Sequence, residues 1–231
     1  MRYEQIAPAD SKYPASVARS IATPATLYVL GRLDLLSQPT ISICGSRAAS
    51  ESALRYSEQF GAIAAQVGFV VVSGNAKGVD RAAHRGALEA GGATVVVSPE
   101  GIDQFRVARE FRDLADLNKN FAVVSQFEPN AGWTAYRAMQ RNKYIVALSR
   151  GLFVIEAREK GGTLDAGLEG LRQKKPLWVM EYAKREHGRA GNRILLEKGG
   201  TPVRTTGELK DILTTAYERR TETSVQTALA F

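Results

Sequence analysis

The 231 residues are 44% hydrophobic and 24% charged, the composition of an ordinary globular chain with one sizeable core. A formal charge of +7 favours a polyanionic partner, and the single cysteine, Cys44, excludes an internal disulfide and a cysteine-based zinc cluster. No segment holds the roughly 18 apolar residues that span a bilayer and the first residues lack a secretory apolar region, so no membrane association is expected and a cytoplasmic location fits.

The stretch up to Gln38 contains Pro8, Pro14 and Pro24, with Pro39 just beyond, and reads as an irregular leader (residues 1–38) packed on the main domain. Apolar runs rich in β-branched residues then alternate with amphipathic helical patterns. The spacing predicts strands at 40–44, 69–72, 94–97, 121–124, 152–155 and 176–180, and helices at 50–67, 79–90, 107–117, 134–148 and 164–173. Strands that are apolar throughout belong to a sheet buried on both faces. The alternation predicts an α/β fold: a Rossmann-like, doubly wound, mostly parallel sheet in a single main domain over 39–219. A closing helix is expected at 208–219, and the polar residues 220–231 read as a loose tail.

In such sheets ligands bind beyond the carboxyl ends of the strands, so the loops that follow them are the ones to read. After the first strand, Gly45, Ser46 and Arg47 offer backbone amides and a guanidinium to an anion; a tight turn with a solvated arginine explains them as well. After the second, Ser73, Gly74, Asn75, Ala76, Lys77, Gly78, Val79 and Asp80 place two glycines and a lysine before a helix, as a phosphate cradle would. The spacings of a P-loop and of the dinucleotide-binding glycine fingerprint are both absent, so no nucleotide cofactor is expected; no metal site is either.

These loops, with three later segments, resemble the DNA-processing protein A (DprA/Smf) family. The resemblance rests on Gly45-Ser46-Arg47, on Ser73 to Asp80 leading into Ala83-His84 and Ala87-Leu88, on Arg141-Asn142 with Ala147, Leu148 and Ser149, and on Val154-Ile155-Glu156-Ala157 followed by Gly161-Gly162-Thr163-Leu164. Tyr13-Pro14 with Pro24 and Gly31 at one end, and Gly191-Asn192 with Gly199-Gly200 at the other, extend it over about 13–205. The resemblance implies single-stranded DNA binding, a homodimer and, for the best-known members, a RecA-type recombinase as partner during natural transformation. It marks Arg47, Lys77, Arg141 and Lys143 as phosphate contacts, with Asn142, Gly161, Gly162 and Thr163 beside them. Cations above loop amides follow a nucleic-acid backbone without reading its bases, which suits that role independently. The chain departs from the family where Met180-Glu181-Tyr182 replaces a Pro-Gly, and its length is expected to leave no room for the extra helical or winged-helix domains of many members.

Other residues are given plainer roles. Between Arg172 and Arg193 seven basic residues face two acidic ones, a solvated run or an extension of a DNA groove. Cys44 and His84 are expected to pack in the core, and Trp133 and Tyr136 are expected to do so in preference to stacking on bases.

An enzyme is the alternative. LOG-type nucleotide phosphoribohydrolases carry an arginine and a glycine-rich turn with an acid, which Arg141 and Gly161-Gly162-Thr163-Leu164-Asp165 resemble, and a carboxylate there can stabilise an oxocarbenium-like sugar. A nucleotide-sensing module is the third reading, because free nucleotides present phosphates to the same loops.

Overall fold

The computed structural model describes residues 3–183 and 189–228. Nine strands form one sheet in the order β1-β2-β6-β5-β4-β3-β7-β8-β9. In chain order these are β1 (Glu4–Ile6), α1 (Ala15–Ser20), β2 (Leu27–Gly31), a 3-10 turn (Leu33–Ser37), β3 (Thr40–Cys44), α2 (Glu51–Val67), β4 (Val70–Ser73), α3 (Val79–Glu89), β5 (Thr94–Val97) and β6 (Phe121–Ser125). Next come α4 (Ala135–Leu148), β7 (Leu152–Val154), α5 (Gly162–Arg172), β8 (Leu177–Met180), α6 (Ala190–Glu197), β9 (Thr201–Val203) and α7 (Thr206–Ala228).

Strands β3 to β9 pair in parallel with one another, while β2 runs antiparallel to β6 with Tyr28 opposite Ser125. The segment expected to be an irregular leader therefore supplies two strands of the sheet. Leu27 to Leu30 are all buried, so pairing with β6 removes from water both their side chains and their backbone groups.

The chain makes helices where caps and periodicity agree. Ser50 accepts a hydrogen bond from the amide of Ala53 to start α2, and Gly68, at φ +98°, ends it in the left-handed conformation. Between them Ala53, Ser57, Phe60 and Ala64 recur at helical spacing on the buried face.

One helix predicted from periodicity does not form. The 107–117 stretch runs as separate turns, closed by Phe111 N–H to Ala108 O and Leu114 N–H to Phe111 O. At its end Asp116 accepts from the Asn118 amide while the Asn120 side chain both accepts from the Asp116 amide and donates to Leu114 O. These local bonds compete with a helix, and Phe105 and Phe111 are still buried against Phe121 of β6. The closing helix, expected over 208–219, runs through Thr206–Ala228, and β9 follows a segment read from sequence only as a glycine motif.

Residues of α2, α3 and α7 pack with one face of the sheet, those of α1, α4, α5 and α6 with the other. Strands β3 to β6 are laid down in one direction across the sheet, whereas β7 returns to pair on the other side of β3. The strand order thus switches between β3 and β7, the position where doubly wound sheets bind ligands.

Candidate functional site

A cavity of about 460 Å³ lies at this switch point. One wall is Gly45, Ser46 and Arg47 after β3; the other is Arg158, Lys160 and the Gly161-Gly162-Thr163 turn that starts α5. Helix α4 contributes Met139, Arg141 and Asn142.

The loops after β3 and β4 are locked together behind the first wall. Gly78 adopts φ +90°, and a side chain there would place Cβ 2.3 Å from Ser46 O, so only glycine lets the two backbones cross. The Val79 amide donates to the same carbonyl at 3.3 Å. On the opposite wall the Asn142 amide group donates to Gly162 O at 3.0 Å, fixing α4 to the start of α5. The α5 N-terminus directs unpaired backbone amides toward this space, a favourable place for an anion.

Beneath the cavity two buried groups of opposite charge lie close to one another without a direct ion pair. Arg141 and Asp80 are each 5% exposed, and the Arg141 Nη1 donates to Val97 O at 2.6 Å. Burial pushes the Asp80 carboxyl up and the Arg141 guanidinium down, and each charge counters the effect on the other. Both groups converge on Gly74, where a Cβ would stand 2.1 Å from Arg141 Nη1 and 2.5 Å from Asp80 Oδ2. Arg141, marked from sequence as a phosphate contact, is a buried cation in the cavity floor, with its Nε lacking a hydrogen-bond partner among the described residues.

The other sequence candidates separate into surface and support. Arg47 is exposed and its guanidinium stands 5.9 Å from the Trp133 ring centre. Lys77 is exposed on its loop, outside the cavity wall. Ser73 is fully buried and donates to Ile43 O at 2.5 Å, so it joins β3 to β4. Lys143 faces a shallower hollow shared with Tyr136, Gln140 and Asp165. Arg141 lines the cavity and Asp165 the second hollow, and the two adjoin at Met139 and Asn142.

Two expectations about aromatic and basic residues change. Trp133 and Tyr136 are 52% and 71% exposed instead of packing in the core, an aromatic shelf with Trp133 beside Arg47 of the cavity wall and Tyr136 lining the second hollow with Met139. Trp133 precedes the α4 N-cap, Thr134, and follows Gly132. Arg158 and Lys160, which the sequence reading left unassigned, stand on the cavity wall, and their signal is that they flank the glycine turn.

In the basic stretch Arg172 pairs with Glu169, Arg193 with Glu197 and Arg189 with Glu156, while Lys184 and Arg185 lie outside the described residues. His84 packs as expected: fully buried, it bonds Gly74 O through Nε2 at 2.7 Å and Thr94 Oγ1 through Nδ1, and burial lowers its pKa to about 4. Cys44 is buried, and burial raises its thiol pKa. No helix among the described residues is long and apolar enough to cross a membrane.

Known proteins share both the sequence and this architecture. The chain is 30% identical over 208 residues to Protein Smf of Escherichia coli, covering 89% of itself but only 56% of that protein. To the DNA processing protein DprA of Streptococcus pneumoniae it is 32% identical over 199 residues, 86% of this chain and 70% of the other. The crystal structure of that protein superposes with a TM-score of 0.81 over 90% of this chain and 74% of its own. A TM-score of 0.81 is also reached, at 24% identity over 94% of this chain and 98% of the other, by DNA processing protein A of Helicobacter pylori, described for its single-stranded DNA binding mode. The family model for DNA recombination-mediator protein A matches residues 4–215, and the chain belongs to that family.

Proposed function

We propose that the chain binds single-stranded DNA across the carboxyl edge of its parallel sheet, with phosphates over the cavity and bases on the aromatic shelf. One observation carries this reading: the exposed guanidinium of Arg47 stands 5.9 Å from the centre of the exposed Trp133 ring, at the rim of a cavity whose other wall carries Arg158 and Lys160. Beside them Trp133 and Tyr136 present faces on which any base can stack, and stacking with backbone cations gives binding without sequence preference. A duplex keeps its bases stacked inside and can use only the cations. The H. pylori protein of the same fold is described for its single-stranded DNA binding mode, which supports the class of ligand proposed.

The test is a fluorescence-anisotropy titration of labelled single-stranded and duplex oligonucleotides of equal length at several salt concentrations. Preference for the single strand with a linear fall of log affinity against log salt is the expected result. Equal affinity for the duplex refutes the stacking role, and displacement of the oligonucleotide by a mononucleotide at low concentration favours nucleotide sensing. A RecA-type recombinase as partner and a homodimer are extensions of the same proposal that rest on family membership; a pull-down with purified recombinase and light scattering of the free chain test them.

A further inference from the structure

The site has two walls that come from distant parts of the chain, and a third segment touches both. Glu156, at the end of β7 and 3% exposed, accepts hydrogen bonds from Ser50 through its backbone amide at 3.2 Å and its hydroxyl at 2.6 Å. Ser50 ends the loop that carries Gly45 to Arg47. Arg189, just before α6, reaches the same place: its Nη2 donates to Ser52 Oγ at 2.8 Å and Ser50 Oγ at 3.2 Å, and its Nε stands 3.6 Å from Glu156 Oε2. The guanidinium lies 3.6 Å from the centre of the Tyr182 ring, which covers it from the other side.

Two and three residues further on, the same segment grips the second wall. The Gly191 amide donates to Ala157 O at 2.9 Å, and the Asn192 Oδ1 accepts from the Ala157 amide at 2.6 Å. Asn192 Nδ2 donates to Ile155 O and Met180 O, both at 2.8 Å, so the ends of β7 and β8 are tied to α6. Ala157 precedes Arg158 and Lys160 of the cavity wall.

We infer that Glu156 and Arg189 are positioning residues for the DNA site, holding the Arg47 loop at a fixed spacing from the Arg158–Gly161 turn. The inference rests on the single-stranded DNA reading of the cavity. It assigns to Arg189, one of the cations of the basic stretch, a role opposite to a phosphate contact: its side chain is about 10% exposed and its guanidinium engages Glu156 and the two serines. It also explains a carboxylate next to a polyanion site. An unpaired Glu156 would repel DNA, whereas a Glu156 engaged by Ser50 and Arg189 orders the loop that attracts it.

Charge and position make opposite forecasts, which separates them experimentally. Arg189→Lys keeps the charge but loses the two-pronged reach to Ser50 and Ser52, and Glu156→Gln removes a negative charge near the strand. Positioning predicts that Arg189→Met, Arg189→Lys and Glu156→Gln all weaken single-strand binding, by about tenfold as for other residues that orient a binding shell. The salt dependence should stay at the wild-type slope, because no phosphate contact is lost. Ser52→Ala, which leaves no buried charge unpaired, should weaken it less and in the same direction. Anisotropy is read well below each variant's unfolding midpoint so that loss of fold does not enter.

Higher affinity in Glu156→Gln, or an Arg189→Lys variant equal to wild type while Arg189→Met flattens the salt slope, overturns the inference. Hydrogen exchange on the free protein reads it without DNA. Amides at 47–53 and 157–163 should lose protection together in Arg189→Met, and unchanged protection at either wall overturns it even where the wild type proves not to bind DNA.

Discussion

Replacing Arg141 by alanine tests the division between surface contact and buried support. If Arg141 were an exposed phosphate ligand, its loss would shift stability by no more than about 0.5 kcal/mol. The structure instead leaves Asp80 as a carboxylate that is 5% exposed, with its main opposing charge gone, and frees Val97 O, which received the guanidinium at 2.6 Å. Removing one partner of a buried charge pair costs about 3–5 kcal/mol. For a chain of this size each kcal/mol lowers the midpoint by roughly 2–4 °C, so a fall of roughly 6–20 °C is expected by calorimetry or circular dichroism. The pH dependence has a definite sign. Burial raises the folded pKa of Asp80 above its unfolded value, so the folded state holds its proton more tightly and stability is lost as pH rises through the folded pKa. The cost of Arg141→Ala is therefore smallest in acid and largest near neutral pH. Adding Asp80→Asn should recover part of the loss, with a coupling of at least about 1 kcal/mol in the double-mutant cycle. A single Arg141→Ala variant within 2 °C (roughly 0.5 kcal/mol) of wild type would refute the buried-pair argument.

Four further outcomes follow from the same geometry. Arg47→Ala and Lys77→Ala should each flatten the salt slope of single-strand binding by roughly 0.7 while leaving the melting midpoint nearly unchanged. Trp133→Ala should weaken binding by about 1–3 kcal/mol with no change in that slope, and oligonucleotide should quench the wild-type tryptophan emission in titrations. Gly74→Ala drives a methyl to 2.1 Å from Arg141 Nη1, and should destabilise the protein about as much as breaking the pair, which thermal melts report. For His84 the folded pKa of about 4 lies below the unfolded value of 6.5, so its contribution is fully present above pH 6.5 and lost as pH falls toward 4; that window is worth about 3 kcal/mol, and urea titrations across it should lose this component in His84→Gln.

The parallel core of the fold was legible because its signals are local. Continuous β-branched runs marked β3 and β5 to the residue, and the apolar period predicted over 50–67 falls within one residue of α2. What was not legible depends on partners remote in sequence. Val29 and Leu30 look like part of a proline-broken leader until Val124 and Val123 of β6 stand beside them, almost a hundred residues away. The 107–117 stretch has helical spacing of its apolar residues, yet the Asn120 and Asp116 side chains give its backbone other partners, and a period counted on apolar letters does not register that competition.

The site shows a sharper limit, because the same residue type serves as contact and as scaffold. Arg47, Arg141 and Arg189 are one letter in three flexible-looking contexts, and in a family motif the first two read alike. Their difference is the depth at which each side chain ends. Arg47 ends in solvent beside Trp133, Arg141 on a carbonyl of β5, and Arg189 between a buried glutamate and a tyrosine ring. Depth is set by what lies above the residue, and here that is glycine: Gly74 leaves the volume that Arg141 and Asp80 fill, and Gly78 lets the Ser46 backbone come close enough to close the wall. The glycines read from sequence as a cradle for phosphate thus do a second task, making room for the protein's own charges. An arginine in such a loop is then assigned by asking whether a neighbouring glycine faces it. Where a glycine meets the arginine's side chain, as at Gly74, alanine in its place should damage the protein before it damages binding, and where glycine meets only backbone, as Gly78 does at Arg47, loss of the arginine should appear in DNA affinity alone.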